Sequence, residues 1–128
     1  MTNIIVDSDI LIDFSRGDET AASWIETAER ESTLLISSMT EMELVIGSRD
    51  KPHLRETLKF LSRFQIVSIN EQISVQASEL VERYCLSHRL MIPDAIIAAT
   101  ALVLDERLIS RNQRDYRFID GLRLLSYP

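Results

Sequence analysis

The stretch Asn3-Ile4-Ile5-Val6-Asp7-Ser8-Asp9-Ile10-Leu11-Ile12-Asp13 governs how the rest of the chain is read. Asn3-Ile4-Ile5-Val6 is a short apolar run without polar alternation, as expected of a strand covered on both faces. Asp7 ends the run at the strand's carboxyl end. Residues 10–16 then read as a short helix that Gly17 closes. A doubly covered strand leading at once into a helix is the opening of an α/β unit.

The same alternation continues along the chain. Residues 19–30 read as a second helix, with Ala22, Ile25 and Ala28 or Glu29 marking its turns. Leu34-Leu35-Ile36 is a second buried strand. Ser38, followed three residues later by Glu41, has the form of a capping box and predicts a helix to about Ile46, ending near Gly47. Leu54, Leu58, Leu61 and Phe64 stripe a helix from about Pro52 to Arg63, and Gln65-Ile66-Val67-Ser68 follows as a third strand. Ile73, Ala77, Leu80, Val81, Tyr84 and Cys85 share one face of a helix over 71–89, which puts Cys85 in the core. Pro93 suits the first turn of a helix over 93–105, whose alanines allow close approach to a sheet. Leu108-Ile109-Ser110 and residues 122–125 supply two closing strands. Strands alternating with helices predict an α/β fold with a mainly parallel sheet of about five short strands, as a single domain over 1–128.

The bulk properties fit such a domain. The chain has 128 residues, 45% hydrophobic and 27% charged, with 3 Gly and 3 Pro. The single cysteine rules out an internal disulfide and fits a reducing compartment. The start has neither the basic nor the apolar region of a signal peptide, and no apolar run reaches membrane-spanning length, so the expected location is cytoplasmic, with no membrane partner. The net charge of −6 argues against simple polyanion binding. However, 12 of the 14 basic residues are arginine, and a divalent cation on clustered carboxylates inverts the local sign.

Four acids stand out, and three of them lie just after a strand or in the first turn of a helix, places that a parallel α/β sheet brings together outside the carboxyl ends of its strands. Asp7 follows the first strand. Glu43 lies about one turn into the helix that starts near Ser38. Asp94 sits in the first turn of a helix rich in Ile and Ala, and Asp115 follows the strand ending at Ser110. Carboxylates crowded together repel unless they are protonated or neutralised by a cation. Hard cations such as Mg²⁺ take oxygen ligands, and two or three carboxylates suffice. Taken singly, each acid has a plainer explanation: Asp7 as a helix cap, Asp94 as a charge favoured at a helix start, Glu43 as a solvated helix residue, Asp115 as a loop residue. Asp9 and Asp13 read as capping or surface residues rather than ligands. The signal lies in the ordered set.

In that order the chain resembles the PIN-domain nucleases, and among them the VapC-type ribonuclease toxins of toxin–antitoxin systems. Four patches carry the resemblance: residues 5–13, residues 37–47 with Glu43-Leu44-Val45-Ile46-Gly47, residues 93–101 beginning Pro93-Asp94-Ala95, and residues 108–116 ending Asp115-Tyr116, with Gly121-Leu122 following. The third patch is the most specific. Ser110 stands where the family commonly has Thr, Tyr116 where it often has Phe, and Asp9 where many members have Asn. The resemblance implies a three-layer PIN fold, Mg²⁺- or Mn²⁺-dependent endonuclease activity on RNA, a cognate antitoxin that blocks the site, and a homodimer. It also implies roles for residues. Asp7, Asp94 and Asp115 would hold the metal, and Glu43 would complete the catalytic cluster by positioning a water or holding a second metal. Ser8 would support the first motif by hydrogen bonding, and Asn112 would organise the loop bearing Asp115.

Arg16, Arg111 and Arg114 are candidates for RNA phosphate contacts, because arginine offers bidentate geometry. Trp24 and Tyr116 could stack on bases. His53 and His88 fall in no motif. Two other readings compete. Asp7-Ser8-Asp9 also fits a phosphohydrolase of the haloacid-dehalogenase kind, but that chemistry needs Gly-Thr soon after and an active-site lysine, and here Ile10-Leu11 follow and the only lysines are Lys51 and Lys59. A non-catalytic PIN-fold protein-binding module is the other, and the presence of all four acids counts against it.

Overall fold

The run at 3–6 forms the central strand of the sheet. The computed structural model describes residues 2–128. It contains β1 (Thr2–Val6), α1 (Ser8–Ser15), α2 (Glu19–Glu31), β2 (Ser32–Ser37), α3 (Ser38–Ile46), α4 (Lys51–Leu61), β3 (Gln65–Val67), α5 (Glu71–His88), α6 (Ile92–Leu104), β4 (Arg107–Ile109), one 3-10 turn (Gln113–Asp115) and β5 (Leu124–Leu125). The strand order is β3-β2-β1-β4-β5, and every pairing is parallel.

Alternate residues of a strand point to opposite faces of the sheet, and here both faces are covered. Ile5, Leu35 and Leu108 pack with Ile73, Leu80, Tyr84 and the alanines of α6. Ile4, Val6, Leu34, Ile36 and Ile109 pack with Ile10, Leu11, Ala21 and Ile25 on the other side. Helices α5 and α6 therefore cover one face, while α1 and α2 cover the other. This two-sided burial is why residues 3–6 show no polar alternation.

Some local expectations shift. The cap of α3 is Ser37, not Ser38: Ser37 Oγ accepts from the Met39 N–H, so Glu41 completes no capping box. The register moved because β2 runs on to Ser37, leaving no linker before the helix. The buried face of α2 uses Ala21, Ile25 and Ala28 rather than Ala22. On α4, Leu58 is exposed. Cys85 is exposed as well, against the expectation that it is core. The buried face of α5 is the narrower line of Ile73, Ala77, Leu80 and Tyr84.

The order of the strands positions the site. From β1 the chain passes through α1 and α2 to β2 on one side, whereas β4 joins β1 on the other. Connections leaving in opposite directions open a crevice at the carboxyl ends of the two strands. The Asp7 N–H donates to the Ile109 carbonyl at 2.9 Å, so the first residues beyond β1 and β4 stand side by side there. Among the described residues, no helix is long and apolar enough to cross a membrane.

Candidate active site

Asp7 leaves β1 already buried, 5% exposed, and caps α1. Its Oδ1 accepts from the Ser8 N–H at 2.8 Å, and its Oδ2 from Ser110 Oγ at 2.7 Å. The capping explanation and the site explanation thus apply to the same carboxylate. Burial pushes its pKa up to about 7 from 3.8. Asp9 adds to the rise and Asp94 adds a little more, while the Ser110 and Ser8 donors oppose it.

Glu43 and Asp94 approach the same crevice from other elements. Ser8 Oγ donates to Glu43 Oε1 at 2.8 Å and is 2.8 Å from Thr40 Oγ1, so the start of α1 is tied to α3. Ser8 therefore has the hydrogen bonds expected of it. Thr40, fully buried, is a participant that the sequence did not single out. Asp94 lies in the first turn of α6, half-buried, and its Oδ1 accepts from the Tyr116 hydroxyl at 3.1 Å. Burial pushes its pKa up to about 6. The Tyr116 hydrogen bond works against that rise, whereas the charges of Asp115, Glu43 and Asp9 add to it. Asp115 itself is exposed on the 3-10 turn, near enough for Asp94 to feel its charge. The fold thus gathers all four acids at one rim.

Asp9 belongs to this rim as well, which corrects its reading as a capping or surface residue. Its Oδ2 accepts from the Asn112 N–H at 3.0 Å and from Ser110 Oγ at 3.2 Å, and its Oδ1 is buried without a hydrogen-bond partner. Residue 9 lies two positions past Asp7 in the first turn of α1, and its bonds to Ser110 and the Asn112 N–H hold it at the rim. Asn112 acts through its backbone: its N–H also reaches Ser110 Oγ, and its carbonyl accepts from the Asp115 N–H.

Among the described residues, no three His, Cys, Asp or Glu side chains stand close enough together to hold a metal ion as a preformed group. The cluster is an open set of hard oxygen donors. Mg²⁺ keeps several of its waters and is commonly held by one or two carboxylates, so an open set suits it. The buried Asp9 Oδ1, which has no hydrogen-bond partner, is the observation that fits a cation at this rim.

A groove of about 460 Å³ runs beside Glu43, lined in part by Arg16, Arg49, His53 and the rings of Phe14 and Phe60. Arg16 and Arg114 are exposed. Arg111 instead spans both oxygens of Asp13 at 2.8 Å. Tyr116 is fully buried and cannot stack on a base. Trp24, on α2, packs against Tyr127. Both lysines lie on α4 and are exposed, so neither supplies what a haloacid-dehalogenase-like site needs.

Comparison with known proteins agrees with this geometry. Residues 4–121 match the PIN domain family. The chain is 35% identical to Ribonuclease VapC10 of Mycobacterium tuberculosis over 121 residues, 94% of this chain and 90% of that one. It is 30% identical to Ribonuclease VapC19 of the same organism, covering 93% and 96%. Among solved structures, a toxin–antitoxin complex from Klebsiella pneumoniae aligns with a TM-score of 0.81 and 32% identity over 96% of each chain. VapBC2 from Rickettsia felis, bound to a promoter DNA fragment, aligns with a TM-score of 0.81 at 22% identity, over 99% of this chain and all of that one, and so speaks for the fold. The chain belongs to the PIN-domain family and is homologous to the VapC ribonucleases.

Proposed function

We propose that this chain is a metal-dependent endoribonuclease, a VapC-type toxin that cleaves RNA by a water activated at the carboxylate rim and is neutralised by a cognate antitoxin. The observation that supports this best is the mutual charge of the acids. Burial, with the charges of acids from four separate segments adding to it, raises the pKa of Asp7 and Asp94 at the β1–β4 crevice, in a homologue of named ribonucleases.

In this reading Asp7, Asp94 and Asp115 hold Mg²⁺ or Mn²⁺, and Glu43 positions a water or a second ion. When bound, the cation supplies Lewis acidity at the phosphodiester and lowers the pKa of the attacking water. The chain's own part is to orient. Ser8 fixes Glu43, and Ser110 with the Ser8 N–H fixes both oxygens of Asp7. Arg16 and Arg114 take RNA phosphates near the rim. The structural relatives that are toxin–antitoxin complexes support an antitoxin partner. A homodimer, a single domain over 1–128 and a cytoplasmic location complete the proposal.

The test is cleavage of labelled RNA by the purified chain in Mg²⁺, Mn²⁺ or chelator, with Asp94→Asn alongside. Cleavage should need the cation and vanish in Asp94→Asn. Wild-type rates in chelator, or from Asp94→Asn, would overturn the assignment. Light scattering should give twice 14.7 kDa; a monomer would remove the dimer from the proposal.

A further inference from the structure

We infer that Tyr116 is a positioning residue for this reaction, its hydroxyl gripping Asp94 through Oδ1 so that Oδ2 is presented to the divalent cation. The inference rests on the metal-dependent reading above.

Packing explains the ring of Tyr116 but not its oxygen. The side chain is 0% exposed and lies in the cluster under α5 and α6, where a phenylalanine would fill the same space. Burying a hydroxyl is costly unless it is hydrogen-bonded; this one donates to Asp94 at 3.1 Å, 22 residues away on another element, and also lies within reach of Asp7. The other acids follow the same pattern. Asp7 is held by two donors and Glu43 by one, and the Tyr116 hydroxyl is the side-chain donor recorded for Asp94.

The location of Tyr116 adds a second consequence. It directly follows Asp115, and its N–H donates to the Gln113 carbonyl, so it closes the turn that carries that acid. The segment from Ser110 to Tyr116 thus has a donor at each end: Ser110 grips Asp7 and Tyr116 grips Asp94. One short stretch sets the spacing of acids that come from β1 and α6. Partners that orient ligand carboxylates in this way are worth about 10–100-fold in metal affinity.

The experiment is calorimetric titration of the folded chain with Mn²⁺, for wild type, Tyr116→Phe, Asp94→Asn and the double variant, with a thermal melt of each. Tyr116→Phe should bind Mn²⁺ about ten-fold more weakly, with KM for RNA kept and kcat lowered. In the Asp94→Asn background, Tyr116→Phe should cost much less Mn²⁺ binding than it does in wild type. Equal affinity in wild type and Tyr116→Phe, or a lowered melting temperature with affinity unchanged, would overturn the inference while leaving the metal reading intact. Absence of Mn²⁺ uptake by wild type would overturn both.

Discussion

Ser110 Oγ donates to Asp7 Oδ2 at 2.7 Å, joining residues 103 apart in sequence at the ends of neighbouring strands. Both residues are buried. A hydrogen bond to a buried charged group is worth more than one between neutral groups, about 1.5–3 kcal/mol. Ser110→Ala should therefore lower stability by about that amount in urea unfolding and impair RNA cleavage as Asp7 loses its orientation. Ser110→Thr keeps the hydroxyl and should keep cleavage. Wild-type stability in Ser110→Ala would show that this bond is not holding the strand ends together.

The raised pKa values of Asp7 and Asp94 make the metal-free protein sensitive to pH in a definite direction. Both are ordinary carboxyls at 3.8 when unfolded, and fold to about 7 and about 6. Between those limits the folded state binds more protons than the unfolded chain, so stability falls as pH rises. The penalty is absent below about pH 4 and complete above about pH 7. In chelator, the melting temperature should be higher at pH 5 than at pH 8. Asp7→Asn, neutral throughout, should flatten the profile and stabilise the protein at pH 8 by on the order of 2 kcal/mol. A melting temperature that climbs from pH 5 to pH 8 in chelator would contradict this.

The arginines separate into two kinds. Arg111 is engaged by both oxygens of Asp13, with half of its side chain exposed. Exposed pairs of this kind contribute little, about 0–1 kcal/mol. Arg16 lines the groove beside Glu43. Using the catalytically silent Asp94→Asn chain to measure RNA binding against salt, Arg16→Ala should reduce the salt slope by about 1. Arg111→Ala should leave the slope unchanged. The reverse pattern would move the RNA track from the groove to the β4 side.

Much of this architecture could be read from the sequence because local signals and tertiary demand agreed. The apolar run at 3–6 is doubly buried, and the alanines of α6 lie against the sheet. Asp7, Glu43, Asp94 and Asp115 stood out as an ordered set that matches the family's motifs, and parallel topology brings three of their positions, after a strand or in a first helical turn, to one rim. The misses have a different cause. Cys85 continues a helical spacing that α5 does not bury, since only the narrow line of Ile73, Ala77, Leu80 and Tyr84 is covered. Tyr116 and Asp9 were read as isolated side chains, yet their partners lie 22 and 101 residues away, and no short window of sequence contains such a pair.

Asp9 gives the sharpest test of whether the cluster acts as one electrostatic unit. Its charge is the largest contribution after burial to the raised pKa of Asp7. Its Oδ2 is held by Ser110 and the Asn112 N–H, so the charge is fixed in place, and its buried Oδ1 has no partner. Asp9→Asn removes the charge while keeping an oxygen that can accept from Asn112. In the metal-free protein, the pKa of Asp7 should then move down from about 7 toward 3.8. A ¹³C titration of the aspartate carboxyls reads this directly, and stability at pH 8 should rise with it because less repulsion remains. Two acids coupled only through a shared scaffold would show no such movement. An unchanged Asp7 titration in Asp9→Asn would mean that burial alone sets its pKa, and that Asp9 stands at the rim without sharing its charge.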